Sequence, residues 1–205
     1  MTTGIDAVIL AGGRSTRFGS DKASAPLRCR PLLQWVVNAV APAVDRIFII
    51  HAPSQRLPDI EATVPLVPVP DETPGLGPLA GLATGFAHTH AELAFACSCD
   101  APLISAALVS LLASIARHTG ADVVRPFVGG FPQPLVAIYR PATCLEPFRR
   151  ALQTPTTNLR IVAACEGLRI IEPSEPSLLT ADPLLRSFLN ANTPERLAEI
   201  ERLLD

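Results

Sequence analysis

The segment DAVILAGGRSTRFGSDK, Asp6–Lys22, runs from a short apolar stretch straight into a loop with two adjacent glycines, two arginines and a lysine. An apolar run cut off by glycines reads as a buried strand. A strand ending at Ala11 would carry Leu10, Ala11, Gly12 and Gly13 to the carboxyl edge of a sheet. There the missing Cβ atoms would let backbone N–H groups come close to phosphate oxygens. Arg14, Arg17 and Lys22 would add positive charge for a polyphosphate. Neither generic phosphate motif fits. Gly13 and Gly19 are separated by five residues and followed by Ser-Asp-Lys, which is not a Walker A loop, and Gly-x-Gly-x-x-Gly is absent. Two glycines after a strand also make a plain tight turn, so the glycines alone leave both readings open.

Outward from this segment, apolar strand candidates alternate with helical patterns. The strands are Ala7–Leu10, Arg46–Ile50, Val64–Val69, Leu93–Cys97, Asp122–Arg125, Leu135–Tyr139 and Leu168–Ile171. The helices are Leu32–Val40, Pro78–His88, Ala106–His118, Pro141–Leu152, Asn158–Cys165 and Pro194–Leu203. Such alternation predicts an α/β fold, a mostly parallel sheet covered on both faces. Pro65 and Pro68 each remove a ladder donor, which confines Val64–Val69 to a sheet edge or demotes it to loop. Thr193 with Pro194 has the chemistry of a helix start. Glu172–Asp182 reads as a loop. No repeat or linker divides the chain, so one domain is expected over residues 1–205.

Composition narrows the function. A chain of 205 residues with 48% hydrophobic content can bury a sizeable core and is not disordered. Lys and Arg number 17 against 19 Asp and Glu, a net charge of −2, so there is no basic field to recruit a nucleic acid. The start has no secretory pattern and no stretch approaches the ~20 apolar residues of a membrane helix, which makes a cytoplasmic protein the expectation. The five cysteines read as thiols. Cys97 and Cys99 form C-x-C, but no second pair completes a zinc site, and buried thiols are the simpler reading.

Asp100 follows the apolar run LAFACSC and so should lie at a strand's carboxyl end, the edge where α/β sheets bind ligands. Mg²⁺ takes one or two carboxylates and completes its shell with water and phosphate, so Asp100 is the metal candidate. Taken alone, an aspartate shortly before Pro102 fits a turn equally well. Lys22 is the only lysine in the chain. An ammonium there would offset charge building on a phosphate under attack, with a solvated surface lysine as the alternative. Arg17 would grip phosphate by forked hydrogen bonds, or else form a surface ion pair. Asp71 precedes Thr73-Pro74-Gly75-Leu76-Gly77-Pro78, a loop whose prolines and glycines fix a sharp path into the next helix. His88, His90 and His118 suit the last turns of helices.

LAGGRSTRFGSDK resembles the signature LAGGxSxRMGxDK of the molybdenum cofactor guanylyltransferase family, with Phe18 in place of methionine. The similarity continues at Pro70–Leu82, Cys97–Ile104, Phe131–Arg140 and Phe188–Leu197, in the family's order, and so spans nearly the whole chain. The resemblance implies a three-layer Rossmann-like nucleotidyltransferase fold, with the nucleotide bound by residues up to about 105 and the acceptor by the rest. It implies transfer of GMP from GTP to the terminal phosphate of molybdenum-bearing molybdopterin, with Mg²⁺ as cofactor and Asp100 as its ligand. Lys22, Arg17 and Asp100 would be catalytic. Leu10, Ala11, Gly12, Gly13, Lys22, His51, Asp71 and Asp100 would bind nucleotide, and Gln133, Asn190 and Asn192 the pterin. A carboxylate accepts from both N1–H and N2–H₂ of guanine, which suits Asp71 as base reader, although base, ribose and metal all remain open to it. His51 stands where some family members have asparagine, and Ala191 where valine is usual. Transient contacts with a molybdenum-insertion protein and with client apoenzymes are implied too. Three alternatives stay beside this reading. The related cytidylyltransferase has His-Pro where this chain has Gln133-Pro134, sugar-1-phosphate nucleotidyltransferases place their lysine in a Pro-Lys pair, and a noncatalytic nucleotide sensor would release no pyrophosphate.

Overall fold

Ile5–Leu10 is buried at every position, as a strand covered on both faces must be. The computed structural model describes residues 3–12, 21–153 and 160–204. In chain order its strands are β1 (Ile5–Leu10), β2 (Pro26–Leu27), β3 (Arg30–Pro31), β4 (Arg46–His51), β5 (Leu66–Pro70), β6 (Leu93–Ser98), β7 (Val123–Val124), β8 (Phe127–Val128), β9 (Phe131–Pro132), β10 (Val136–Tyr139) and β11 (Ile170–Ile171). The α-helices are α1 (Leu32–Val40), α2 (Pro78–His88), α3 (Ala106–Thr119), α4 (Pro141–Gln153), α5 (Arg160–Ala164), α6 (Glu175–Leu178) and α7 (Pro194–Arg202).

Seven strands form one sheet in the order β11-β7-β10-β6-β1-β4-β5. Its one reversal is β10, which runs antiparallel to both β6 and β7, while the other pairings are parallel. The mostly parallel sheet expected from the alternation is therefore present, in the Rossmann-like form that the resemblance implies. Side chains of β1 alternate between two cores. Ala7 and Ile9 face a layer containing Leu33 and Val37 of α1 and Leu108 and Leu112 of α3. Val8 and Leu10 face a layer containing Leu79 and Leu82 of α2 and Phe148 of α4. These are the three layers.

The chain leaves β1 towards β4 and β5, then returns to place β6 on the other flank of β1. That change of direction opens a crevice at the carboxyl ends of β1, β4, β5 and β6. The proline-bearing segment is strand β5, at the sheet edge, where a missing N–H costs least. A third apolar cluster joins Leu27 beside β3 and Leu32 of α1 to Ala191 and Ile200. It seats α7 against the front of the chain and carries the segment 190–192 to the crevice. Thr193 caps α7 by accepting from the Arg196 N–H at 3.3 Å.

Two expectations are corrected. Glu172–Asp182 is not all loop: Pro176 at the second helical position starts the single turn α6. Of the helix expected over 158–165, the described part is α5, and residues 158 and 159 lie outside the described residues.

Helix α2 lies close on the sheet because it presents glycine. A Cβ on Gly81 would come within 2.8 Å of Leu10 Cδ2, and one on Gly85 would lie closer still to Val8 Cγ1. Val8 is fully buried in a central strand and has no room to give. Gly85→Ala should therefore lower stability by about 1–3 kcal/mol despite alanine's better helix propensity. That corresponds to a melting temperature lower by roughly 3–10 °C. An unchanged melting temperature would contradict the close approach.

Candidate active site

The strand ends order the candidates along one edge. Asp100 follows β6, Leu10–Gly12 ends β1, His51 ends β4 and Asp71 follows β5. Adjacent strands lie about 4.8 Å apart, so this row spans about 14 Å. Asp71 donates its backbone N–H to the His51 carbonyl at 2.8 Å, which keeps the last two positions side by side.

Gly12 acts differently from the expectation. Its N–H donates to the Ile50 carbonyl at 3.1 Å, as does that of Ala11 at 2.8 Å, so neither points free toward a phosphate. A Cβ at Gly12 would sit 3.0 Å from the Ala52 nitrogen. The glycine thus serves close approach of β1 to the end of β4. Leu10 is engaged through its carbonyl, which accepts from Cys99 N–H at 3.0 Å and so ties β1 to the residue before Asp100. Gly13, Arg14 and Arg17 lie outside the described residues.

Lys22 sits in a single 3₁₀ turn, Lys22–Ser24, capped by the Asp21 side chain. Its ammonium donates to Asp100 Oδ2 at 2.8 Å and to Asn192 Oδ1 at 2.9 Å. Asp100 is nine-tenths buried, and its other oxygen accepts from the Ser98 hydroxyl. The Asp100 carbonyl accepts from Ala191 N–H at 2.8 Å, so the C-terminal segment is pinned to this residue through backbone as well. Sequence order puts Lys22, Asp100 and Asn192 in three distant parts of the chain. The fold makes them one cluster.

A single carboxylate with oxygen-bearing neighbours is the hard donor set that suits Mg²⁺, which keeps water and phosphate ligands. Among the described residues there is no group of three or more His, Cys, Asp or Glu that would cage a metal with protein alone. Cys97 and Cys99 are fully or nearly fully buried. Burial pushes the Cys97 thiol far up and that of Cys99 up to about 12, with the Asp100 carboxylate adding to both. They are thiols of the core, as expected.

At the other end of the row, His51 Nδ1 lies 2.9 Å from the Ala52 carbonyl. A carbonyl only accepts, so Nδ1 is the donor in this contact, and whenever the ring is neutral Nε2 is an acceptor. Asp71 Oδ1 accepts from Thr73 N–H at 3.0 Å and from the Thr84 hydroxyl at 3.3 Å, which fixes the carboxylate at the start of the Thr73–Pro78 loop. Gln133, expected on the acceptor side, spends its amide donor on the carbonyls of Val128 and Phe131, at 3.1 and 3.4 Å. It holds the β8–β9 ribbon together. Asn190 offers its backbone carbonyl to Asn192 N–H at 2.9 Å. Gln55 was missed from sequence. It contacts Ala11, Asp21 and Ala52, and no motif or periodicity marks it.

Comparison with known proteins gives the family and the fold. The model of the MobA-like NTP transferase domain matches residues 7–168. A relative from Mycobacterium avium, named a probable molybdenum cofactor guanylyltransferase, is 38% identical over 81% of this chain and 84% of its own. Another of that name, from Chloroflexus aggregans, is 31% identical over 96% of this chain and 93% of its own. The crystal structure of molybdopterin-guanine dinucleotide biosynthesis protein A from Archaeoglobus fulgidus shares the fold, with a TM-score of 0.80 over 98% of both chains at 22% identity.

The thiols give a direct check on the packing. Cys29 is exposed, whereas Cys97, Cys99, Cys144 and Cys165 are buried. Burial raises Cys144 to about 12 and Cys165 to about 11. A thiol-reactive disulfide reagent at pH 8 should label one cysteine quickly, identified by peptide mapping as Cys29, and the other four only on unfolding. Fast labelling of Cys97 or Cys99 would contradict the closed core beneath Asp100.

Proposed function

Because the chain belongs to the MobA-like NTP transferase family, we propose that this nucleotidyltransferase moves GMP from GTP onto the terminal phosphate of molybdenum-bearing molybdopterin. The products are molybdopterin guanine dinucleotide and pyrophosphate. The observation that carries this reading is the order along the sheet edge: two acceptors at His51 and Asp71, the β1 terminus in the middle, and the Lys22–Asp100–Asn192 cluster at the far end. A nucleoside triphosphate laid along that row puts its base at one end and its phosphates at the other.

Guanine presents two adjacent donors, N1–H and N2–H₂, on the edge where adenine and cytosine each present an acceptor beside one amino group. Two neighbouring acceptors, the Asp71 carboxylate and His51 Nε2, match guanine and repel neither donor. The histidine in place of asparagine therefore supports the same base by a different atom. At the other end, an oxygen of the acceptor's terminal phosphate attacks the α-phosphorus. A P–O bond forms, the bond from the α-phosphorus to the bridging oxygen breaks, and pyrophosphate leaves with that electron pair. Lys22 offsets the charge that gathers on the leaving oxygens. Asn192 reaches the same ammonium from the C-terminal segment, so the reacting phosphates would meet where that segment joins the strand ends. Asp100 would hold Mg²⁺, which supplies further charge neutralisation on the phosphates. Arg17 would grip the phosphates beside Gly13, and Gln133, Asn190 and Asn192 would border the pterin.

The same reading includes a division near residue 105 into a nucleotide side and an acceptor side, a cytoplasmic location, and transient contacts with a molybdenum-insertion protein and client apoenzymes. Among the described residues no helix is long and apolar enough to cross a membrane.

Calorimetric titration with GTP, CTP and ATP in the presence of Mg²⁺ tests base and metal together. GTP should bind at least about tenfold tighter than the others, and Asp100→Ala should lose about tenfold or more of that affinity. Preference for CTP would move the reading to the cytidylyl relative. No binding of any nucleotide would overturn the enzymatic reading.

A further inference from the structure

We propose that Gln55 is a positioning residue for nucleotide binding, one amide that fixes both flanks of the glycine-bearing segment between β1 and Lys22. The proposal rests on the nucleotidyltransferase reading of that segment. Its geometry stands independently.

Gln55 ends the turn Ala52-Pro53-Ser54-Gln55 after β4. The turn is closed by Gln55 N–H to the Ala52 carbonyl at 2.9 Å, with proline at the position whose backbone angle it presets. Its side chain then turns back. Oε1 accepts from Ala52 N–H at 3.0 Å. Nε2 donates to the Ala11 carbonyl at 3.0 Å and to Asp21 Oδ1 at 2.8 Å. Ala52 N–H can only donate, and a carbonyl and an ionised carboxylate can only accept. A flipped amide would lose every one of these bonds, so the orientation is fixed by chemistry. Both N–H bonds of the amide nitrogen are used.

The two acceptors are far from arbitrary. Ala11 is the last residue before Gly12, where the segment leaves the sheet. Asp21 is where it returns, and it caps the turn that carries Lys22, accepting from Ala23 N–H at 3.2 Å and from the Ser24 hydroxyl at 3.3 Å. Gln55 thus holds exit and return from the same nitrogen, and through Asp21 it sets the turn from which Lys22 reaches Asp100. Gly12 contributes from the other side. Its lack of a Cβ lets β1 approach Ala52, the residue whose N–H anchors the amide.

Two variants separate positioning from simple support of the turn. Gln55→Ala removes all three side-chain bonds. Gln55→Glu keeps the shape and the acceptor for Ala52 N–H, loses both donors and sets a carboxylate against Asp21. In a pyrophosphate-release assay with molybdenum-bearing molybdopterin, kcat/KM for GTP should fall about tenfold or more in both variants. KM for the pterin substrate should stay within about twofold, with the melting temperature within a few degrees of wild type. In parallel, amide hydrogen exchange read by mass spectrometry should quicken across 21–25 in both variants and stay unchanged in α3. If Gln55→Glu keeps wild-type kcat/KM and exchange, Gln55 merely braces its own turn and the proposal is overturned. An equal loss for both substrates with a collapsed melting temperature overturns it as well. Should the wild type release no pyrophosphate from GTP, the functional reading fails, and exchange across 21–25 still decides for or against Gln55.

Discussion

One ammonium connects the parts of this protein that sequence keeps apart. Lys22 bonds Asp100 from the end of a central strand and Asn192 from the approach to the last helix. The Lys22 and Asp100 side chains are only 23% and 11% exposed, so the pair is shielded from much of the screening that makes surface ion pairs weak. Removing Asp100 would take from the Lys22 ammonium the buried carboxylate it donates to. Three separate elements meet at this contact. Strand β6 delivers Asp100, the capped turn delivers Lys22, and the apolar cluster of Leu27, Leu32, Ala191 and Ile200 delivers the segment that carries Asn192.

That contact also gives the C-terminal helix a role beyond the sheet. The seven-stranded sheet is complete at β11, before α6 begins. The C-terminal segment beyond β11 adds no strand to it. Instead the chain returns across the molecule, docks on β2 and α1 through apolar side chains, and donates the Ala191 N–H to the Asp100 carbonyl. The tail is therefore positioned by burial and used for its polar groups, which is how a rigid scaffold presents chemistry on connecting segments.

Much of the fold was legible in the chain because central parallel strands carry apolar runs, as β1 does at Ala7–Leu10, β4 at Ile47–Ile50 and β6 at Leu93–Cys97. Helices α1 and α2 begin and end where their patterns say, and β5 takes the edge its prolines demand. The ribbons β2–β3 and β8–β9 were not legible, since two-residue strands carry no period. Asp100 could be found as a carboxylate after a buried run. Gln55 could not, because its role lies in three contacts up to 44 residues away in sequence. Gly81 and Gly85 look like poor helix residues until Leu10 and Val8 are seen beneath them. Gln133 has a structural task that its sequence does not announce, since its amide donates to two carbonyls of its own ribbon.

The central claim is that the row from Asp71 to Asp100 orients a guanine nucleotide for attack at its α-phosphorus. It is tested most directly by following label from GTP in the presence of molybdenum-bearing molybdopterin. Label at the α-phosphate should appear in the pterin dinucleotide, and label at the γ-phosphate should appear only in pyrophosphate. Label from the γ-phosphate in the pterin product, or transfer from CTP in preference to GTP, would contradict the account.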